Sequence, residues 1–261
     1  MFYFPTTAGY MKYRAAEASR TIAPWEVGSW ILENIANIED VKQSIGGITV
    51  APVTFKQWGI VPPVHYVVYD ASGKSIVVEY VEGKLDVYDD VLGVISNSPT
   101  FDWHMTNLRN YVNFSLENVP PVKVGGIKLT GFGQGTGMLG LPGDFTAPSR
   151  FVRAIAYSTS VLPSQTGEEA ILQGFHILNN FDIPRGSTRA QAKGAHGNIV
   201  ADYTLWTSNR SEDEATLFQD LRRQPDWFCG SVVMKMPVDA KDITHISMKG
   251  KGEEVIKSLS P

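Results

Sequence analysis

The chain has 261 residues, 43% of them hydrophobic and 19% charged, and a formal net charge of -4. This composition suits a globular protein long enough to bury a full core, and no Pro/Ser-rich linker or charge block divides it, so a single domain over residues 1–261 is expected. The acidic balance without a basic stripe argues against nucleic acid as a partner, the lone Cys229 excludes an internal disulfide framework or a multi-thiolate metal site, and no apolar run approaches the roughly 18 residues of a membrane span.

The opening MFYFPTTAGY has no basic leader before an apolar segment; residues 1–4 read as the middle of a strand and 6–23 as a mixed loop. Pro24 opens a helix in which Trp25, Val27, Trp30, Ile31 and Ile35 approximate one stripe, and a second short helix fits Ile38 to Ile45, closed by Gly46-Gly47. After Pro62-Pro63 the pattern changes to strands: VHYVVYD, SIVVEYV, KLDVYD and VLGVI. The short connections Ala71-Ser72-Gly73 and Glu82-Gly83 predict antiparallel hairpins. Helical patterns resume over Phe101 to Val112, Ser149 to Val161 and Glu168 to Asn180, a strand follows at Asp202 to Thr207, and ITHISM reads as a terminal strand. Strands in succession followed by helices suggest a layered α/β or α+β domain with an antiparallel sheet.

The candidate chemistry lies between Val91 and Arg153. Asn97 ends the run VLGVI, where Asn97-Ser98-Pro99 supplies turn chemistry. Thr146 offers an N-cap and Pro148 a first-turn proline, which places Arg150 in the first helical turn and Arg153 three residues on along the same side. By residue chemistry alone Asn97 is a turn-forming side chain and Arg150 a surface or salt-bridging arginine. The run Gly131 to Gly137 superficially resembles a phosphate loop, but LGLPGD follows it in place of a helix and no lysine follows the glycines. A tight loop with close backbone packing is the plainer reading. His65, His104, His176, His196 and His245 lack metal-ligand spacing and read as packed or exposed histidines; Asp102 and Glu117 show no acid–base pairing.

The segments NSPTFDWHMTNLRNY, GFGQGTGMLGLPGDFTAPSRFVRA and ADYTLWTS, in this order and at this spacing, resemble the choloylglycine hydrolase family, which includes bile salt hydrolases and penicillin V acylases. The opening FYF, the helix after Pro24 and the paired strands from Pro62 to Pro99 fit as well, so the resemblance covers roughly residues 1–207. It implies an α+β fold, the αββα sandwich of N-terminal-nucleophile hydrolases. It also implies cleavage of linear amide C–N bonds in a small-molecule substrate, a phenoxyacyl amide or a conjugated bile salt, with no metal or organic cofactor. Family members often form tetramers, so the complete protein is expected to allow a homotetramer. The family's nucleophile is an N-terminal cysteine whose α-amino group is the base, because the thiolate and not the thiol attacks an amide. Matched motif to motif, Asn97 supplies a side-chain N–H to the oxyanion, the backbone N–H of Tyr3 supplies a second, and Arg150 favours thiolate over thiol. Tyr3 stands where bile salt hydrolases often carry Asn and penicillin V acylases carry Tyr, which tilts the expected substrate toward the acylases.

Two departures accompany the match. The printed residues begin where the family is already past its first strands, so the nucleophilic cysteine and the Arg and Asp near it are expected to be missing through truncation. Cys229 is internal and has no α-amino base, so no nucleophile is assigned, and the chain as printed is expected to be inert; a noncatalytic relative that keeps acyl-ligand binding is the alternative. After Thr207 the family continues with a strand like YYFKTYDD, whereas residues 208–232 diverge. Codons exist for Leu217 to Arg223 that, read one nucleotide later, encode Tyr-Phe-Lys-Thr-Tyr-Asp-Asp, so a local frameshift is expected there, with the frame restored near Val233 to Met236.

Overall fold

Strands joined by tight turns build the sheet that carries the candidate site. The structure is a computed structural model that describes residues 2–3, 20–193, 197, 199–211, 216–223, 228–235 and 258–259. It divides into two compact units, Met1–Ala156 and Tyr157–Pro261, and the division falls inside one helix.

In the first unit the strands are β1 (Phe2–Tyr3), β2 (Thr21–Ile22), β3 (Thr49–Val50), β4 (Val64–Tyr69), β5 (Ser75–Val81), β6 (Lys84–Asp89), β7 (Val122–Val124) and β8 (Ile127–Leu129). The helices are α1 (Val27–Asn34), α2 (Ile38–Ser44), α3 (Phe101–Asn107) and the start of α4 (Ala147–Ser160). An antiparallel sheet runs in the order β1-β4-β5-β6. The β5–β6 register ends at Val81 opposite Lys84, and the two residues between them, Glu82 and Gly83, both take positive φ, at 50° and 81°. That is the hairpin turn whose twist matches the strands, and Gly83 makes half of it free of strain.

Strand β5 is buried along nearly its whole length, so its alternate residues pack on opposite faces. Ile76, Val78 and Tyr80 join one core cluster with Val27, Ile31, Ile38 and Val41 of α1 and α2. Val77 joins another with Phe101 of α3 and Phe151 and Ile155 of α4. Glu79 has the same parity as Val77 and therefore lies on the face covered by α3 and α4.

The expected strand VLGVI does not form. Val91 and Leu92 make a turn, Gly93 takes φ 65°, and the chain reaches Asn97 as irregular backbone, with the Ser98–Pro99 peptide cis. A positive φ in the middle of the run ends the extended conformation, and Asp90 Oδ1 accepts the Val94 N–H at 3.4 Å in place of a ladder partner. Leu92, Val94 and Ile95 still pack against the second cluster. The helix expected over Phe101 to Val112 tightens into a 3-10 turn from Leu108 to Tyr111. Within the expected loop of residues 6–23, Thr21–Ile22 pairs in parallel with Thr49–Val50, and residues 6–19 lie outside the described residues.

The second unit holds α5 (Gly167–Leu178), the hairpin of β9 (Thr188–Lys193) and β10 (Ile199–Asp202), and a sheet of β11 (Trp206–Ser211), β12 (Thr216–Arg223), β13 (Phe228–Lys235) and β14 (Ser258–Leu259). Thr166 caps α5 by accepting the Glu169 N–H at 3.2 Å, while Glu169 Oε2 accepts the Gln165 N–H at 2.8 Å. A Cβ on Gly174 would stand 2.0 Å from Asn209 Nδ2, so glycine lets α5 approach β11 closely enough for Asn209 to donate to the Ile171 carbonyl at 2.8 Å. The strand expected over Asp202 to Thr207 is split. Thr204 instead binds Ile183 through its backbone N–H, at 3.1 Å to the carbonyl, and its hydroxyl, at 2.9 Å from the amide. Of residues 208–232, those described, 208–211, 216–223 and 228–232, contribute backbone to β11, β12 and β13. ITHISM, His196 and His245 lie outside the described residues.

Candidate active site

The irregular segment after Gly93 and the first turn of α4 bring Asn97 and Arg150 together. Arg150 Nη2 donates to Asn97 Oδ1 at 2.7 Å, and Arg150 Nε donates to the Phe145 carbonyl at 3.1 Å. A guanidinium only donates, so the carboxamide must turn its oxygen to it, which fixes the Nδ2 donors on the opposite side. Ser96 Oγ donates to the Ala147 carbonyl at 3.1 Å and ties the same segment to the start of α4.

Arg150 is half-buried, and among the described residues no carboxylate pairs with it. Burial lowers its pKa, with a smaller push from the Arg153 charge. Its partners among the described residues are neutral oxygens, so none of them compensates the cation, which favours an anion placed next to it. The arginine read by residue chemistry as surface or salt-bridging is half-buried and, among the described residues, is held by neutral oxygens.

Arg153, 5% exposed, donates from Nη1 to the carbonyls of Pro142 and Asp144, both at 2.7 Å, and so fixes the chain entering α4. Asp144 accepts from Ser149 Oγ at 2.6 Å, from the Thr146 hydroxyl at 2.5 Å and from the Thr146 amide at 2.9 Å. Those bonds, that of Ser149 first, hold its carboxyl down at about 2. An anion at a helix N-terminus suits the helix dipole, and the Thr146 hydroxyl expected to cap α4 donates to Asp144.

Behind Asn97 lies a buried polar chain. Glu79 is fully buried; its two carboxyl oxygens accept the Phe101 N–H at 3.2 and 3.1 Å, and Oε1 lies 3.0 Å from His65 Nδ1. Burial pushes Glu79 up to about 7 and lowers His65 to about 3, so the pair is no ordinary ion pair. His104, 2% exposed, places Nε2 2.8 Å from the Asn97 carbonyl and stacks on Phe151 with ring centres 4.6 Å apart. Sequence reasoning read His65 and His104 as packed or exposed histidines, and their burial decides for packed; it missed Glu79. Its signal was a carboxylate inside the otherwise apolar SIVVEYV.

Tyr3 pairs with Val64 at the edge of the sheet, and none of the described contacts joins it to Asn97 or Arg150. The glycine-rich loop folds back on residues 115–118. Asn118 Oδ1 accepts the Gly135 N–H at 2.7 Å, and a Cβ on Gly137 would stand 2.2 Å from the Glu117 carbonyl oxygen, so close packing accounts for that glycine. Among the described residues no cluster of three or more His, Cys, Asp or Glu could hold a metal, and no helix is long and apolar enough to cross a membrane.

The sequence profile of linear amide C–N hydrolases, choloylglycine hydrolase family, matches residues 1–225. The chain is 39% identical over 205 residues to a bile salt hydrolase/transferase of Clostridium perfringens, a match covering 78% of this chain and 60% of that protein's length. With a penicillin V acylase of Pectobacterium atrosepticum it shares 26% identity over 190 residues, covering 67% of this chain and 44% of that protein. A solved structure of a variant conjugated bile acid hydrolase from Clostridium perfringens matches with a TM-score of 0.75 at 30% identity, over 96% of this chain and 74% of that one. The expected α+β, N-terminal-nucleophile hydrolase fold is thus the one found. With the shared fold and a profile that runs through both the Asn97 and the Arg150 motifs, the chain belongs to the choloylglycine hydrolase family.

Proposed function

We propose that the chain carries the oxyanion-binding and cation-bearing part of a linear amide C–N hydrolase that acts on conjugated bile salts. The observation that supports this reading is the 2.7 Å bond from Arg150 to Asn97, which orients a carboxamide donor beside a half-buried cation. In the reaction, a thiolate of an N-terminal cysteine outside the printed residues attacks the substrate carbonyl carbon, and Arg150 favours that thiolate. The carbonyl oxygen becomes an oxyanion that accepts from Asn97 Nδ2–H and the Tyr3 backbone N–H, and its collapse, with the cysteine's α-ammonium giving the thiol's proton to the leaving nitrogen, expels the amine and leaves a thioester for water to cleave. Identity of 39% to a bile salt hydrolase/transferase against 26% to a penicillin V acylase favours the bile salt over the phenoxyacyl amide that Tyr3 alone suggested.

The test joins the chain to an upstream segment that begins with a processed cysteine and offers it a conjugated bile salt and a phenoxyacyl amide. Faster release of the amine from the bile salt is expected. Saturable binding of both compounds without cleavage would instead favour a noncatalytic acyl-ligand binder, and no binding at all would reject both readings.

A further inference from the structure

The oxyanion donor assigned to Asn97 works only if its carboxamide stays in place, and the segment that carries it is irregular backbone. Arg150 holds one end of the side chain. The main chain of the same residue is held separately, by His104. A carbonyl oxygen only accepts, so the nitrogen 2.8 Å from it must carry a proton, and His104 is the Nε2–H tautomer. Its Nδ1 is buried and has no hydrogen-bond partner among the described residues, as fits the unprotonated nitrogen of a neutral ring.

The imidazole is itself fixed from two sides. Its face stacks on Phe151 at an interplanar angle of 21°, and Phe151 follows Arg150 on α4. Its helix is capped from strand β5, because Glu79 takes the Phe101 N–H while Thr100 makes no side-chain cap bond. One ring thus links the backbone of Asn97 to the helix that bears Arg150.

We propose that His104 is a positioning residue for Asn97, a donor that locks the Asn97 carbonyl and holds its carboxamide in register with Arg150. The proposal rests on the amide hydrolase reading for its consequence in catalysis, but its geometry can be tested without it. In the isotope-labelled 261-residue chain, NMR spectra that couple ring nitrogens to ring protons are expected to place the His104 proton on Nε2. His104→Phe keeps the stacked ring and removes the donor. It should shift the Asn97 carboxamide signals and speed their exchange with solvent about tenfold, the weight of one neutral hydrogen bond. His104→Gln, whose amide N–H can reach about where Nε2 stood, should restore both.

In the cysteine-bearing form, His104→Phe should lower kcat per folded molecule by roughly 10- to 100-fold, with KM changed less than about threefold. A wild-type proton on Nδ1, or Asn97 signals unchanged in His104→Phe, overturns the proposal. So does an unchanged kcat beside an active wild type. Should His104→Phe not fold, the wild-type tautomer and His104→Gln decide it. A wild-type cysteine-bearing form without amidase activity would count against the amidase reading, while the NMR outcome on the 261-residue chain would still settle the positioning.

Discussion

Replacing Glu79 by Gln should change how stability depends on pH. Glu79 is fully buried on β5, and burial raises its carboxyl from 4.5 to about 7. His65, 3.0 Å away, is lowered to about 3 and stays neutral, so it does not offset the buried carboxylate. The folded state therefore holds the Glu79 proton more tightly than the unfolded chain does. Its stabilising effect is complete below about pH 4.5 and is lost as the pH rises through about 7. The difference between 4.5 and about 7 corresponds to about 3 kcal/mol of folding stability, almost all of it lost by about pH 8. Glu79→Gln keeps an oxygen for the Phe101 N–H and places an amide donor toward His65 without a charge. The assay is denaturant unfolding of both proteins from about pH 4 to about pH 9, read as the variant minus the wild type at each pH. Groups that titrate equally in both cancel from that difference. The variant should gain on the wild type progressively above about pH 5, by an amount approaching 3 kcal/mol. A difference that stays flat across the range would refute the reasoning, because Glu79 would then ionise alike in the folded and unfolded states.

Asn97→Ala should lower turnover in the cysteine-bearing form by about 100-fold or more, the cost of one oxyanion donor, with a separate stability loss of about 1–3 kcal/mol from the acceptor that Arg150 loses; full activity per folded molecule in that variant would remove the oxyanion role. Phe151→Ala removes a fully buried ring that packs on Phe101 and His104, and should cost about 3–5 kcal/mol in denaturant unfolding. A loss below about 1 kcal/mol would mean that the second cluster collapses into the space. Gly137→Ala sets a Cβ 2.2 Å from the Glu117 oxygen and 2.4 Å from the Ser115 oxygen, both backbone, so it should destabilise by about 1–3 kcal/mol or more. Sequencing the gene across residues 208–232 tests the frameshift: the printed frame, found intact in a protein that folds stably, ends that reading.

Local chemistry in the sequence determined much of the first unit. The Glu82-Gly83 turn and the alternation on either side of it specify the β5–β6 hairpin, and Pro148 with the residues before it specifies the start of α4. The same local logic misjudged VLGVI, where five largely apolar residues suit a strand by propensity, but the Gly93 backbone and the Asp90 carboxylate turn them into a buried loop. Asn97 and Arg150 lie 53 residues apart, and only resemblance to a family suggested that they belong to one site. Neither spacing nor resemblance pointed to Glu79 or to the His104 bond. Turn angles and hydrophobic periodicity act across a few neighbouring residues and can be read from them. The partner of a buried carboxylate, imidazole or guanidinium comes from whatever distant segment the packing brings alongside, so tertiary structure alone decided which carbonyl His104 grips and which amide Glu79 caps.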